Sequence, residues 1–405
     1  MKIYKVKQNL ISNPITDVPA AVAAQLDRVN PPIRSGARIA ITAGSRGICN
    51  LAAMTRAAGD WVKVRGGEPF LVPCMGSHNG ATAQGQRAMV ESLGLTEEAM
   101  QMPIHSSMDV VELGEVQTGK VYMDRNCFES DGVIVLNRIK LHTCFTGPLQ
   151  SGLTKMMVVG MGKIQSATTF HSTPIPQMAT MLQQMGQVIL DSGKILAGLA
   201  ILEDGYDQTA EIHGVAPQEI LEKETLLVEK HREYFPALPV EKLDVLIVDE
   251  IGKTYSGTGM DINVIGRRGW WDYPEPETPR IRVIGLLNLS AKSQGNAIGI
   301  GLADFITQRL RDAIDEEKMR INVLTTAELA RGKIPLTLPD DKALIETIAG
   351  RFGEGRWLFI PNTLHLEMLY ASEQVADQLR EHPRCEVVKE GQDLTFEDNM
   401  LRLWY

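Results

Sequence analysis

An imidazole, an amine and a second imidazole fall within thirty residues of one another at His142, Lys155 and His171, with a further histidine upstream at His78. Strand-like Gly132–Asn137 leads into a Gly/Ser/Thr-rich turn, Ser151-Gly-Leu-Thr, then Lys155, then His171 sixteen residues later. The first amides of a helix have no partner within it, so such a turn can hold a phosphate. A lysine beside it can carry a covalent adduct, and a histidine can ligate a metal or exchange a proton near neutral pH. Lys163, in Gly-Met-Gly-Lys, is a second candidate for the covalent position. Met156, Met157 and Met161 read as core packing rather than metal ligands. His105, His213, His231, His365 and His382 read as hydrogen-bonded surface or loop histidines.

These side chains need a frame, and apolar strand-like runs alternate with helical patterns along the chain. Ala37–Thr42 reads as a strand ending in Ala-Gly-Ser-Arg-Gly, followed by a helix over Leu51–Val64. Glu68–Met75 reads as a second strand, ending in Gly-Ser-His-Asn-Gly, followed by a helix over Gln84–Leu93. Gly132–Asn137 is a third, ending in the polar turn Arg138–Thr143. Arg46, His78 and His142 therefore each occupy a turn after a strand. In a parallel α/β sheet the carboxyl ends of strands share one edge where ligands bind, so the three are expected to converge.

A second block follows a charged helix over Pro217–Glu233 and a hinge at Pro236 and Pro239. It comprises strand Lys242–Asp249, Gly-rich Ser256–Arg268, strand Ile281–Leu289, and Gly-rich Ser293–Gly301 opening a helix to Ile314. Strand Arg356–Ile360 and helix Ser372–Glu381 complete it. The pattern predicts two α/β domains with mostly parallel sheets, 1–240 and 241–405, and an active-site cleft between them.

Composition narrows the classes. A hydrophobic fraction of 44% and a charged fraction of 22% are those of a soluble globular protein. A net charge of −9 and a pI near 5.5 argue against a general nucleic-acid binder. No 18-residue apolar span marks a membrane helix, and no apolar run follows the N-terminal charges as in a signal peptide. Five scattered cysteines without a Cys-x-x-Cys pair fit reduced thiols in a cytoplasm, with no zinc or iron–sulfur site.

In order along the chain, Ser45-Arg-Gly, Gly76-Ser-His, Lys140-Leu-His, Ser151-Gly-Leu-Thr-Lys and His171 resemble the nickel-dependent lactate racemase family of 2-hydroxy-acid racemases and epimerases. The resemblance covers nearly the whole chain and is strongest between Gly76 and His171. It implies that Lys155 tethers a nickel-pincer nucleotide through its thioamide and that His171 completes the nickel coordination. His78 and His142 take the positions of alternating acid/base groups. Ser45 and Arg46 fall beside the cofactor, with Arg46 also on the substrate carboxylate. Arg267 and Arg268, after the matching Asp261-Ile-Asn263, fall at substrate positions of the second domain, which would close over the substrate. The implied partners are a small 2-hydroxy acid and the host's cofactor-synthesis proteins.

Chemistry explains why such a set is needed. The C2–H of a 2-hydroxy acid is too weakly acidic for simple proton abstraction, whereas removal as hydride avoids a dianion. A nickel-activated pyridinium would accept it, and return to the opposite face of the ketone requires two bases on opposite sides. Soft sulfur and carbon donors plus one imidazole suit square-planar nickel. The chain departs from the family in three places. Ala43-Gly-Ser-Arg46 replaces a common Asp-x-Thr-Arg, and the loop from His142 to Lys155 is longer. A Tyr-Gln pair and a lysine become Ile265-Gly266 and Arg267-Arg268, which points to a roomier pocket and a bulkier acid, such as a sugar acid. Two other classes stay open. One is a non-catalytic nickel or nucleotide binder, which would not need paired histidines. The other is a nicotinamide dehydrogenase, which lacks here its Gly-x-Gly-x-x-Gly after the first strand.

Overall fold

The computed structural model describes residues 1–271, 273–326 and 328–404, the side chains of Thr325 and Thr326 excepted. The chain divides into two compact units, one of Ile11–Phe235 and one that joins Met1–Leu10 to the residues from Pro236 onward. The first ten residues thus leave the expected 1–240 domain. The reason is strand β1 (Lys2–Gln8), which pairs on both edges with strands from the end of the chain.

In the unit Ile11–Phe235, β2 (Arg38–Ala43), β3 (Glu68–Pro73), β6 (Gly132–Arg138), β7 (Ile195–Glu203) and β8 (Thr209–Val215) form one sheet. A small antiparallel hairpin, β4 (Val110–Val116) and β5 (Gly119–Asp124), stands apart from it. The sheet order is β3-β2-β6-β7-β8, parallel throughout except that β8 runs antiparallel to β7. Ile39 to Ala43, Phe70 to Val72 and Val133 to Leu136 are buried without alternation, as strands covered on both faces must be. Helices Val18–Val29 and Leu51–Val64 contribute Val22, Leu26, Met54 and Trp61 to the core against Ile39, Ile41 and Leu199. Helix starts follow their caps: Asp17 accepts from the Ala20 amide and Thr82 from that of Gly85.

The second unit is built on an eight-stranded sheet. Its strands, with β1, are β9 (Lys242–Ile251), β10 (Arg280–Leu289), β11 (Phe305–Thr307), β12 (Leu336–Leu338), β13 (Trp357–Ile360), β14 (Met368–Ser372) and β15 (Cys385–Asp393). The order is β12-β11-β10-β9-β13-β14-β1-β15, with the first five strands parallel and the remaining pairs antiparallel. The helix expected after Ser293–Gly301 does not form. Gln294, Gly295 and Gly299 take positive φ of 49°, 82° and 94°, leaving two single 3-10 turns before β11 and a short helix, Gln308–Asp312. A Cβ on Gly299 would lie 2.0 Å from the Thr258 carbonyl oxygen, so this glycine permits two loops to touch.

Removing Met1–Leu10 should leave β14 and β15 without their shared neighbour. The expected result is loss of hydrogen-exchange protection over 368–372 and 385–393, while β2, β3 and β6 keep theirs. Unchanged protection at β14 and β15 would contradict the pairing.

Candidate active site

The order β3-β2-β6 sets three neighbouring strand ends side by side. Ser45 and Arg46 lie in the loop after β2, His78 after β3 and His142 after β6, and the expected convergence is what the structure displays. Ser45 Oγ is 2.5 Å from His78 Nδ1. Lys155 Nζ is 2.6 Å from His142 Nε2. The amides of Cys144 and Phe145 donate to His142 Nδ1 at 3.0 and 3.3 Å, so in the neutral ring the proton belongs on Nε2. That proton is then donated to Lys155, which must offer a lone pair. The environment permits it: burial first, then the charges of Lys140 and Arg46, push the Lys155 pKa down to about 7, against the opposing effect of Cys144.

The same charges link the remaining members. His78 is lowered by burial, then by Arg46 and Lys155. His171 ends the helix Lys163–Ser172 with its ring edge-on to Phe170 at 5.4 Å. Part of that ring faces solvent, but the protein packed around the rest, then Lys155 and His78, push its pKa down to about 4. Near neutral pH His171 is a neutral imidazole, the form that ligates metals. Phe145 and Phe170 form an apolar floor, 5.8 Å apart, with the Lys155 ammonium position 5.8 Å from the Phe170 ring. Ser45, Arg46, His78, His142, Lys155 and His171 thus share one neighbourhood within Ile11–Phe235.

One supporting residue escaped sequence reasoning. Glu224, buried in the helix Ile220–Tyr234, accepts from the Thr154 amide at 2.7 Å and its hydroxyl at 2.8 Å. It anchors the turn that carries Lys155, and burial pushes its pKa up to about 7 against those hydrogen bonds. The Thr154 amide therefore serves a protein carboxylate, which corrects the phosphate-cradle expectation for this turn. Gly152 is needed because a Cβ there would lie 2.4 Å from Glu224 Oε1 and 2.6 Å from Ile139 Cδ1. The legible signal was an acid in register with Ile220, Leu227 and Val228 on an apolar helix face.

Lys163 is not a second tether. It is fully buried, 3.1 Å from Asp124 Oδ2 and 3.1 Å from Gln86 Oε1, and donates to the Pro73 carbonyl. Met156, Met157 and Met161 are buried in the core. His105 packs against Phe70, His213 bonds Glu211 at 2.7 Å and His365 meets the Tyr255 ring edge. His231 departs from its surface reading: it is buried in a helix, and burial with Arg138, Lys140 and Arg232 pushes its pKa down to about 3.

The second-domain expectations need correction. Arg267 is ion-paired to Asp304 at 2.8 Å and donates to the carbonyls of Leu302, Ile281 and Arg282, so it is a strut rather than a substrate ligand. Arg268 donates to the Pro274 carbonyl and lies over the Trp270 and Tyr273 rings, 5.4 Å from each. Ile265 is fully buried, and a Cβ on Gly266 would lie 1.9 Å from the Pro279 carbonyl oxygen. Core packing and backbone approach account for both residues, and the inference of a roomier pocket loses its basis.

Among the described residues, no group of three or more His, Cys, Asp and Glu could hold a metal ion, and no helix is long and apolar enough to cross a membrane. No protein-family model and no curated protein matches the chain. Solved structures do. The lactate racemase apoprotein from Thermoanaerobacterium thermosaccharolyticum has a TM-score of 0.50 and 12% identity, covering 85% of this chain and 90% of that one. The chain has a lactate-racemase-like fold. A structural-genomics protein from Thermotoga maritima has a TM-score of 0.48 and 11% identity, over 80% of this chain and 83% of that one. At such identities the likeness is one of fold.

Lys155 gives a pH-dependent signature. Its folded pKa of about 7 lies below its ordinary 10.5, so between these values the unfolded chain binds more protons and stability rises with pH. Lys155→Met should flatten that rise when unfolding is followed from pH 7 to 10. An unchanged slope would show that the amine is not depressed.

Proposed function

We propose that this protein is a racemase or epimerase that inverts C2 of a 2-hydroxy acid with a nickel-pincer nucleotide carried on Lys155. The observation that carries this reading is the Lys155–His142 contact inside a cluster that also holds Arg46, His78 and His171. The residues fit the cofactor. Lys155 is largely a free amine just above neutral pH, the form an acyl-type link requires, and His171 offers one neutral imidazole. With no protein-only metal cluster among the described residues, a nickel here must bring further donors of its own, as a pincer ligand does. When bound, that nucleotide would supply an electrophilic ring able to take hydride from C2.

The remaining work falls to side chains. Arg46, exposed after β2, binds the substrate carboxylate through its fork of N–H groups. Ser45 fixes the His78 ring at Nδ1, leaving Nε2 to exchange the hydroxyl proton. The lowered His78 pKa keeps that ring neutral and ready to accept. His142 is the second acid/base: its Nδ1 is held by two amides, and its Nε2, now against Lys155, faces the reacting region.

Protein from a cofactor-making host should carry nickel and a covalent mass increment that Lys155→Ala abolishes. With a panel of pure 2-hydroxy-acid stereoisomers in deuterated water, C2 inversion should retain the C2 hydrogen. His78→Ala and His142→Ala should each lose about 10²–10⁴-fold in rate. An adduct persisting in Lys155→Ala, or full solvent deuterium at C2, would overturn the proposal.

A further inference from the structure

Among the described residues, the cations Lys163 and Arg331 are withdrawn from solvent, and they are treated differently. Lys163 is met by a carboxylate, an amide oxygen and a carbonyl. Arg331, only 1% exposed, has Nε and Nη2 buried with no hydrogen-bond partner. A guanidinium cannot shed its proton, and an unpaired buried charge is among the costliest features a fold can hold. Water would solvate those groups without compensating the charge.

The turn that carries Arg331 is tightly held. Arg331 lies in the 3-10 turn Leu329–Gly332, whose backbone is clamped to the Gly-rich segment Ser293–Gly301. The Gly299 amide donates to the Arg331 carbonyl at 3.0 Å. A Cβ on Gly301 would lie 1.9 Å from the Ala330 carbonyl oxygen and 2.8 Å from the Lys333 nitrogen, so only glycine lets the turn settle there. Nε and Nη2 form one edge of the planar guanidinium, the edge that meets two oxygens side-on. The same unit shows that edge in use: Arg356 binds Asp244 through Nε at 3.2 Å and Nη2 at 2.8 Å.

We propose that Arg331 and the glycine-rich segment beside it form an oxyanion site, in which a carboxylate or phosphate group of a small molecule takes the place that Asp244 takes on Arg356. It uses none of the residues of the Lys155 cluster and stands whether or not the proposed racemase chemistry does.

The test is thermal unfolding of the full chain in chloride, acetate or inorganic phosphate at equal ionic strength. Wild type should gain stability saturably with acetate or with phosphate, and the arm that saturates names the group. Arg331→Met, which removes the charge but keeps bulk, should lose the saturable gain and melt no lower than wild type in chloride. Any stabilisation left in it reports the general salt effect alone. Arg331→Lys, which keeps the charge without the fork, should need about tenfold more anion for half-saturation. The saturable response should survive Arg46→Ala. No saturable response to either anion in wild type, or an equal response in Arg331→Met, would overturn the proposal.

Discussion

The candidate site depends first on the parallel pairing of β2 with β3 on one side and β6 on the other. Each strand contributes one short polar loop at its carboxyl end, and adjacent strands lie only about 4.8 Å apart. Side chains 33 residues apart in sequence, such as Ser45 and His78, are thereby brought into hydrogen-bond contact. Helices have no part in choosing those partners; they bury the strand faces and hold the register. A one-step slip of β3 against β2 would turn His78 away from Ser45.

Beneath that edge, a buried ion pair and a buried carboxyl group stabilise the segment that returns Lys155 and His171 to it. Lys163 and Asp124 form a fully buried pair that ties the start of the His171 helix to the end of β5. Glu224 ties the Lys155 turn to the helix Ile220–Tyr234. Such groups matter more than the many exposed ion pairs. Breaking a buried pair by removing one partner costs about 3–5 kcal/mol, whereas an exposed pair is worth roughly 0–1 kcal/mol. The geometry at Lys155 is set from below by groups that never meet a ligand.

In the second unit, backbone constraints account for residues that seem functional in sequence. Gly259, Gly266, Gly299 and Gly301 each sit where a side chain would strike a neighbouring carbonyl. Gly259 and Gly299 let the loops after β9 and β10 touch, whereas Gly266 and Arg267 pack against the start of β10, where Arg267 binds the carbonyls of Ile281 and Arg282 together with that of Leu302. Arg331 is of another kind, since two of its buried nitrogens have no hydrogen-bond partner.

Much was legible from residue order alone. The buried strands β2, β3, β6, β9, β10 and β13, the turn positions of Arg46, His78 and His142, and the α/β class follow from apolar runs broken by polar Gly-containing turns, whereas β7, buried at all but one residue, is missed by that reading. Those are local properties, set by burial and backbone freedom. The resemblance supplied Lys155 and His171 as partners of those turns. Other features were decided only in three dimensions, because they depend on which segments touch. Residues 2–8 look no different from an N-terminal strand of the first unit until their pairing with β14 and β15 is known. Nothing local separates Lys155, against an imidazole, from Lys163, against a buried aspartate 39 residues away. Glu224 reads as one acid among many until its helix face is seen to cover the Thr154 amide. Sequence determined where the chain would bury its strands and turn; tertiary structure decided which charges would meet, because a charge is compensated by whatever lies within a few ångströms of it in space.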